Sequence, residues 1–259
     1  MTDVHVAATP PLLVVTLQRG TANTIDAATS RRLGEVFSRF RDDAQLRVAI
    51  VTGAGPRFFS AGWDLGAAAS GEAYDADFGA GGFGGYGELA GLRKPVIAAV
   101  NGMAVGGGFE LVLAADLAVA ADHATFFLPE TAVGVIPDSG SVRLPRLLPR
   151  PVAIEVLIAG RRLNADEALR WGVINRVVPA DGLMTAATEL AERIVDAAPL
   201  AVEAVLDLVR RTEQMAVVDS MRLLRSGTVD PYERMLASDD ALEGPRAFAE
   251  RRPPRWTGG

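Results

Sequence analysis

The sequence predicts an α/β fold that becomes mostly helical beyond Arg150. Two observations carry this reading. In the first half, short valine-rich apolar runs alternate with a segment of helical period, the pattern of strands exchanging with helices. From residue 152 onward, apolar positions recur at helical spacing and are punctuated by Gly160, Gly172 and Pro199.

In chain order, Leu12–Leu17 reads as a strand. Asp26 stands where it caps a helix from Ala27 to about Phe40, with Leu33, Val36, Phe37 and Phe40 on one face. Arg47–Thr52 is a second strand, ended by Gly53-Ala54-Gly55-Pro56, and Val96–Val100 is a third, running into Asn101-Gly102. Between them, residues 67–91 are rich in glycine and alanine. Residues 79–84 match GxGxxG, but no strand feeds them and no helix with a downstream ribose-binding acid follows, so they are no dinucleotide cradle. The stretch reads either as a loop over a site or as a plain glycine-rich insertion. Thr125–Leu128 is a short apolar run ending in Pro129-Glu130. Segments 152–159, 165–171, 181–197 and 200–214 are helical, and 173–178 is a short strand or an extended connector. No internal repeat and no long linker interrupts the chain.

Composition narrows the chemistry. Among 259 residues there is no cysteine, two histidines and a single lysine, with 32 acidic against 26 basic side chains. Thiolate, disulfide and zinc-knuckle chemistry are excluded, and a three-histidine metal site is impossible within one chain. His5 is expected in a loose N-terminus, and His123 in a short connection after Asp122. Lys94, directly before Pro95, is expected at the surface or on a phosphate. The net charge of −6 argues against a general nucleic-acid binder. No signal peptide is expected from residues 1–11. The most apolar stretch, 96–121, is broken by Asn101, four glycines, Glu110 and Asp116, too often to span a bilayer.

The segment that carries chemistry is Asn101 to Leu111, where Gly106-Gly107-Gly108 lead into a buried helix around residues 111–115. Glycines let backbone N–H groups approach a ligand, and a helix N-terminus favours negative charge. One reading is an oxyanion site with Glu110 projecting into the same pocket; the other is tight helix packing with Glu110 as a favourable first-turn acid. Glu130 alone is a routine turn or helix-start residue. Asp138-Ser139-Gly140 lacks the elbow and the placed histidine that a serine hydrolase needs.

Several segments together resemble the enoyl-CoA hydratase/isomerase (crotonase) superfamily over nearly the whole chain. They are FFSAGWDL at 58–65, KPVIAAVNGMAVGGGFEL at 94–111, FFLPETAVGVIPDSG at 126–140, RRLNADEALRWGVINRVV at 161–178 and EGPRAFAERRPPRW at 243–256. Residues 34–55 and 58–85 further resemble the carnitinyl-CoA subgroup, as do Trp63 and Asp138. The resemblance implies the crotonase (ClpP/crotonase-like) fold: a spiral core of ββα units over residues 1–198, then a helical C-terminal trimerisation portion over 199–259. It implies a cytoplasmic homotrimer or homohexamer acting on an acyl-CoA thioester. No metal or redox cofactor is implied, CoA entering only as part of the substrate, and no nucleic-acid or membrane partner.

By position within the family motifs, Glu110 and Glu130 are the catalytic glutamates, Glu110 toward the water or hydroxyl and Glu130 toward the α-proton. The N–H groups of Trp63 and Gly107 form the oxyanion hole. Ala61, Gly62, Asp64, Leu65, Gly106 and Asp138 are the expected substrate contacts. Asp138 has several readings: a third proton carrier, a polar wall, a cap for the segment from Ser139, or a counter-charge for a trimethylammonium group. Trp63, Phe83 and Tyr86 are the aromatics that would share in binding such a cation, or are ordinary packing. The implied activity is reversible hydration of crotonobetainyl-CoA. Alternatives are a general enoyl-CoA hydratase or enoyl/dienoyl-CoA isomerase, and a non-catalytic acyl-CoA binder.

Overall fold

A computed structural model describes residues 3–259, whose contacts divide into one unit ending at Ala191 and another beginning at Glu192. The first unit opens with the hairpin β1 (Val4–Thr9) and β2 (Leu12–Leu17), followed by α1 (Ala27–Asp42). A repeated excursion then begins. β3 (Val48–Gly53), β4 (Phe58–Ser60) and α2 (Leu65–Ala69) are followed by β5 (Val96–Val100), β6 (Met103–Val105) and α3 (Gly107–Ala114). Then come β7 (Leu117–Ala121), β8 (Thr125–Phe127), a 3-10 turn at Glu130–Val133 and α4 (Asp138–Leu147).

Each excursion gives one strand to each of two sheets. Among the described residues, the larger sheet has the order β1-β2-β3-β5-β7-β10, with β10 at Arg176–Val178. The smaller runs β4-β6-β8-β9, with β9 at Leu163–Asn164. β2, β3, β5, β7 and β10 are mutually parallel, as are β4, β6 and β8. Strand β3 pairing with β5 and β5 with β7, while β4 pairs with β6 and β6 with β8, makes the chain a spiral of ββα turns. β3 and β5 are buried along their whole length, which is why they read as continuous apolar runs rather than alternating ones.

α5 (Arg150–Ala159), α6 (Ala165–Arg170) and α7 (Leu183–Val195) follow, and then α8 (Pro199–Thr212), α9 (Val217–Leu224), α10 (Asp230–Ala237) and α11 (Asp239–Ala249). In the second unit the chain end is held by Asp240, whose carboxylate accepts from the N–H groups of Thr257 at 2.7 Å and Gly258 at 3.0 Å. Among the described residues, no helix is long and apolar enough to cross a membrane.

The expected elements recur with small shifts. Asp26 caps α1 by accepting from Thr29 N–H at 2.7 Å. Leu33, Phe37 and Phe40 on that helix are fully buried. One expectation is corrected and two open readings are narrowed. His5 lies within β1, paired with Thr16, because the hairpin organises the N-terminal residues that composition alone read as loose. Lys94 donates from Nζ to the carbonyls of Phe40 at 2.9 Å and Asp43 at 2.6 Å, so its ammonium closes the C-terminal end of α1 at the surface. For Tyr86 the packing reading holds: it is buried against Phe37, ring centroids 4.8 Å apart, and its hydroxyl donates to Leu111 O at 2.6 Å. Residues 71–95 hold turns and no regular strand or α-helix, so GxGxxG there is a loop.

Candidate active site

The site begins where β4 ends. Ser60 Oγ donates to Asn23 O at 2.7 Å and accepts from Gly62 N–H at 3.0 Å, and Asn23 Nδ2 in turn holds the carbonyls of Phe58 and Phe59. This buried polar knot fixes the turn Ala61-Gly62-Trp63. Ala61 N–H is spent on Ala22 O at 2.8 Å, and Gly62 O accepts from Ile25 N–H at 2.8 Å. Gly62 has φ of +77°, a conformation glycine adopts without a steric penalty, and a Cβ there would stand 2.6 Å from the Gly107 nitrogen. That close approach puts the Trp63 turn against the first residue of α3.

α3 starts at Gly107, earlier than the apolar run suggested, so two of the three glycines are its first turn. Among the described residues, the N–H groups of Trp63 and Gly107 meet no protein acceptor. Free first-turn donors are what a helix start offers to a developing negative charge. Phe83 stacks over Gly107 and meets Phe78 edge-on at 5.4 Å, forming an apolar cover on this corner.

Glu110 projects from the first turn of α3, and its Oε1 accepts from Gly140 N–H at 2.7 Å. Glu130 opens the 3-10 turn after β8, held beside Gly106, where a Cβ would lie 2.5 Å from Glu130 Oε1. Its Oε2 is buried without a hydrogen-bond partner among the described residues. Burial raises the pKa of both glutamates. For Glu110 the Asp138 charge adds to burial, while the amides of Gly140 and Ser139 and the Arg143 charge pull the other way. For Glu130, burial together with the charges of Glu110 and Asp138 pushes the carboxyl up to about 7. Two such acids that feel each other titrate as a pair.

Asp138 is the first residue of α4, one position earlier than the cap reading placed the helix, and it is exposed. Of the other expected contacts, Asp64 is engaged within the fold. Its carboxylate caps α2 through Gly66 and Ala67 N–H and pairs with Arg19, which also binds Asp26 at 2.8 Å. Leu65 is exposed, and Gly106 N–H is used by Phe127 O at 2.9 Å.

Sequence reasoning missed Tyr74. Its ring meets Trp63 edge-on, centroids 5.3 Å apart, its hydroxyl donates to Ile136 O, and it faces the Asp138 carboxylate. Burial and the surrounding carboxylates hold that hydroxyl above its ordinary pKa. Nothing in Glu72-Ala73-Tyr74-Asp75 marks it, because the contact is made across 62 residues.

The family model for enoyl-CoA hydratase/isomerase matches residues 9–259, and the chain belongs to that family. The fold is correspondingly close to solved enoyl-CoA hydratases. One from Bacillus anthracis superposes with a TM-score of 0.89 at 34% identity over 100% of both chains. Another from Mycobacterium marinum superposes with a TM-score of 0.89 at 37% identity over 99% of each. The expected crotonase spiral is therefore the observed fold.

Among individual proteins, the chain is 57% identical over 257 residues to the carnitinyl-CoA dehydratase of Proteus mirabilis, covering 99% of this chain and 98% of that one. The carnitinyl-CoA dehydratase of Citrobacter koseri matches to the same extent.

Proposed function

We propose that this protein is a hydro-lyase interconverting L-carnitinyl-CoA and crotonobetainyl-CoA, with Glu110 and Glu130 as its acid–base pair and the N–H groups of Trp63 and Gly107 as its oxyanion hole. The observation that carries the chemistry is two partly buried carboxylates of raised pKa beside two unpaired backbone donors. The full-length identity to carnitinyl-CoA dehydratases supports the acyl group.

In hydration, the Glu110 carboxylate takes a proton from water as its oxygen bonds to the β-carbon. The π electrons move onto the thioester, and the two N–H groups stabilise the enolate oxygen. Glu130, protonated, then gives its proton to the α-carbon. Dehydration runs the same steps backward, with Glu130 removing the α-proton and Glu110 protonating the departing hydroxyl. CoA serves only to carry the acyl group. The fixed Gly140 bond suits Glu110 to aim a water, and the free Oε2 of Glu130 suits it to face carbon.

Both directions use one proton on the glutamate pair, so their pH profiles share an upper limb. We expect kcat/KM to fall above about pH 7, approaching tenfold per pH unit, in hydration and dehydration alike. Rates measured from pH 5 to 9 in both directions check this; a flat limb through pH 9 contradicts it.

Exposed apolar side chains at Val133, Ile136, Val142, Leu147, Ile154 and Ile158 support assembly as a homotrimer or homohexamer. A cytoplasmic location is part of the same reading, and the absence of cysteine fits it. The second reading, a general enoyl-CoA hydratase, is favoured by the solved relatives. Comparing kcat/KM for crotonobetainyl-CoA and crotonyl-CoA separates the two. A preference of about tenfold or more for crotonobetainyl-CoA is expected from recognition of its cation, and equal or reversed values would overturn the carnitine assignment.

A further inference from the structure

The acyl group of the proposed reaction carries its quaternary ammonium two bonds from the carbon that gains or loses hydroxyl. Whatever seats that cation must therefore adjoin Glu110 and Glu130. A trimethylammonium has no N–H to donate, so hydrogen-bond acceptors cannot grip it directionally. Aromatic rings and a nearby carboxylate are the groups that recognise it.

One corner of the site offers that set. Trp63, next to the glycine turn at α3, meets Tyr74 edge-on at 5.3 Å and 78°, so the two rings present surfaces at nearly a right angle. The Tyr74 hydroxyl is tied to Ile136 O, two residues before Asp138. The Trp63 indole is tied as well: Nε1 donates to Glu72 Oε1 at 2.9 Å, and Glu72 Oε2 accepts from Ala27 N–H at 3.0 Å. Glu72 is thus occupied in holding the Trp63 ring, while Asp138 is an exposed carboxylate that reaches the Tyr74 hydroxyl. Arg143, whose charge acts on Glu110, is turned toward Ser139 Oγ and Gly87 O.

We propose, resting on the carnitine reading above, that Tyr74 is a specificity-determining residue: its ring, with the Trp63 ring and the Asp138 carboxylate, seats the quaternary ammonium of the acyl group. The role belongs to the ring, and the hydroxyl tether orients it. The loop of residues 67–91 is accordingly a specificity element rather than a plain glycine-rich insertion.

The test compares crotonobetainyl-CoA with 5,5-dimethylhex-2-enoyl-CoA, in which a neutral tert-butyl group replaces the ammonium at the same size. The ratio of kcat/KM for the two substrates reads cation recognition alone. Tyr74→Leu is expected to lower that ratio about tenfold or more, mainly through KM for the cationic substrate, a change within the range of one cation–π contact. Tyr74→Phe is expected to hold the ratio within about threefold, and Asp138→Asn to lower it. Should the leucine variant fail to fold, Tyr74→Met, which keeps bulk without a ring, reads the same ratio. Equal losses on both substrates, or a phenylalanine variant as impaired as leucine, would make Tyr74 a loop tether and overturn the proposal. A wild-type preference that Tyr74→Leu leaves intact overturns this proposal alone. A wild-type enzyme with no preference for the cationic substrate overturns the carnitine reading and this proposal together.

Discussion

Glu130→Gln is expected to lower kcat about 10²–10⁴-fold in both directions with little change in KM, the usual contribution of one positioned proton carrier. Glutamine preserves the shape of a side chain held beside Gly106 and removes only its ability to ionise. The chemical signature is specific to the assigned role. In D₂O the wild type should exchange the α-proton of L-carnitinyl-CoA through reversible turnover, and the variant should lose that exchange in step with kcat. Exchange retained while dehydration collapses would move Glu130 from the α-carbon to the hydroxyl. Stability offers an independent reading. Glu130 is raised from the ordinary carboxylate range to about 7 in the folded chain, so folding takes up a proton between those limits. Stability from this group is therefore present at low pH and is lost as pH rises toward 7. The variant lacks that group, so its Tm should fall less than the wild type's between pH 5 and pH 8. The comparison across pH removes any fixed cost of burying the amide.

The residues that were legible in the sequence are those whose work is done locally. The cap Asp26, the helix face of Leu33, Phe37 and Phe40, and the buried runs of β3 and β5 follow from period, capping and burial. The helix start at Gly107 follows from the glycine run, but the roles proposed for Gly107 and Glu110 rest on the family motifs, because a glycine run entering an apolar helix serves tight packing equally well. What stayed hidden depends on contacts distant in sequence. β4, β6 and β8 are three residues each, too short for a periodic signal, yet they form the layer that carries the site. His5 reads as loose until β1 pairs with β2, and Lys94 reads as a surface cation until it meets the end of α1, 54 residues away from its Phe40 acceptor. Tyr74 belongs to the same group. A single aromatic in a loop declares no partner, and here the partner is a carbonyl in the segment before α4. Asp64 shows the reverse: its motif position suggests substrate, while its carboxylate serves Arg19 and the start of α2.

Gly62→Ala should be the most damaging small substitution near the site, because two costs fall on one methyl group. The first is conformational. At φ of +77° a residue with a Cβ pays about 1–2 kcal/mol. The second is steric and functional, since that Cβ would stand 2.6 Å from Gly107 N and 2.7 Å from Val105 O, both backbone atoms that cannot swing aside. Either the Ala61–Trp63 turn or the start of α3 must retreat, and the two proposed oxyanion donors sit on those two segments. Losing one such donor costs about 10²–10³-fold in kcat, so a loss of at least 100-fold is expected, with a lowered Tm. Gly172→Ala supplies the calibration. Its φ is +75°, and nothing lies within 4 Å of a Cβ there, so it carries the conformational cost without the clash. Tm measured for both variants, with kcat on crotonobetainyl-CoA, separates the terms. Gly172→Ala should lose stability alone, whereas Gly62→Ala should lose more stability and nearly all activity. A Gly62→Ala enzyme that stays within tenfold of wild-type kcat would show that the enolate oxygen is held elsewhere. The reaction would then have to find its stabilising donors outside the junction of Trp63 and Gly107.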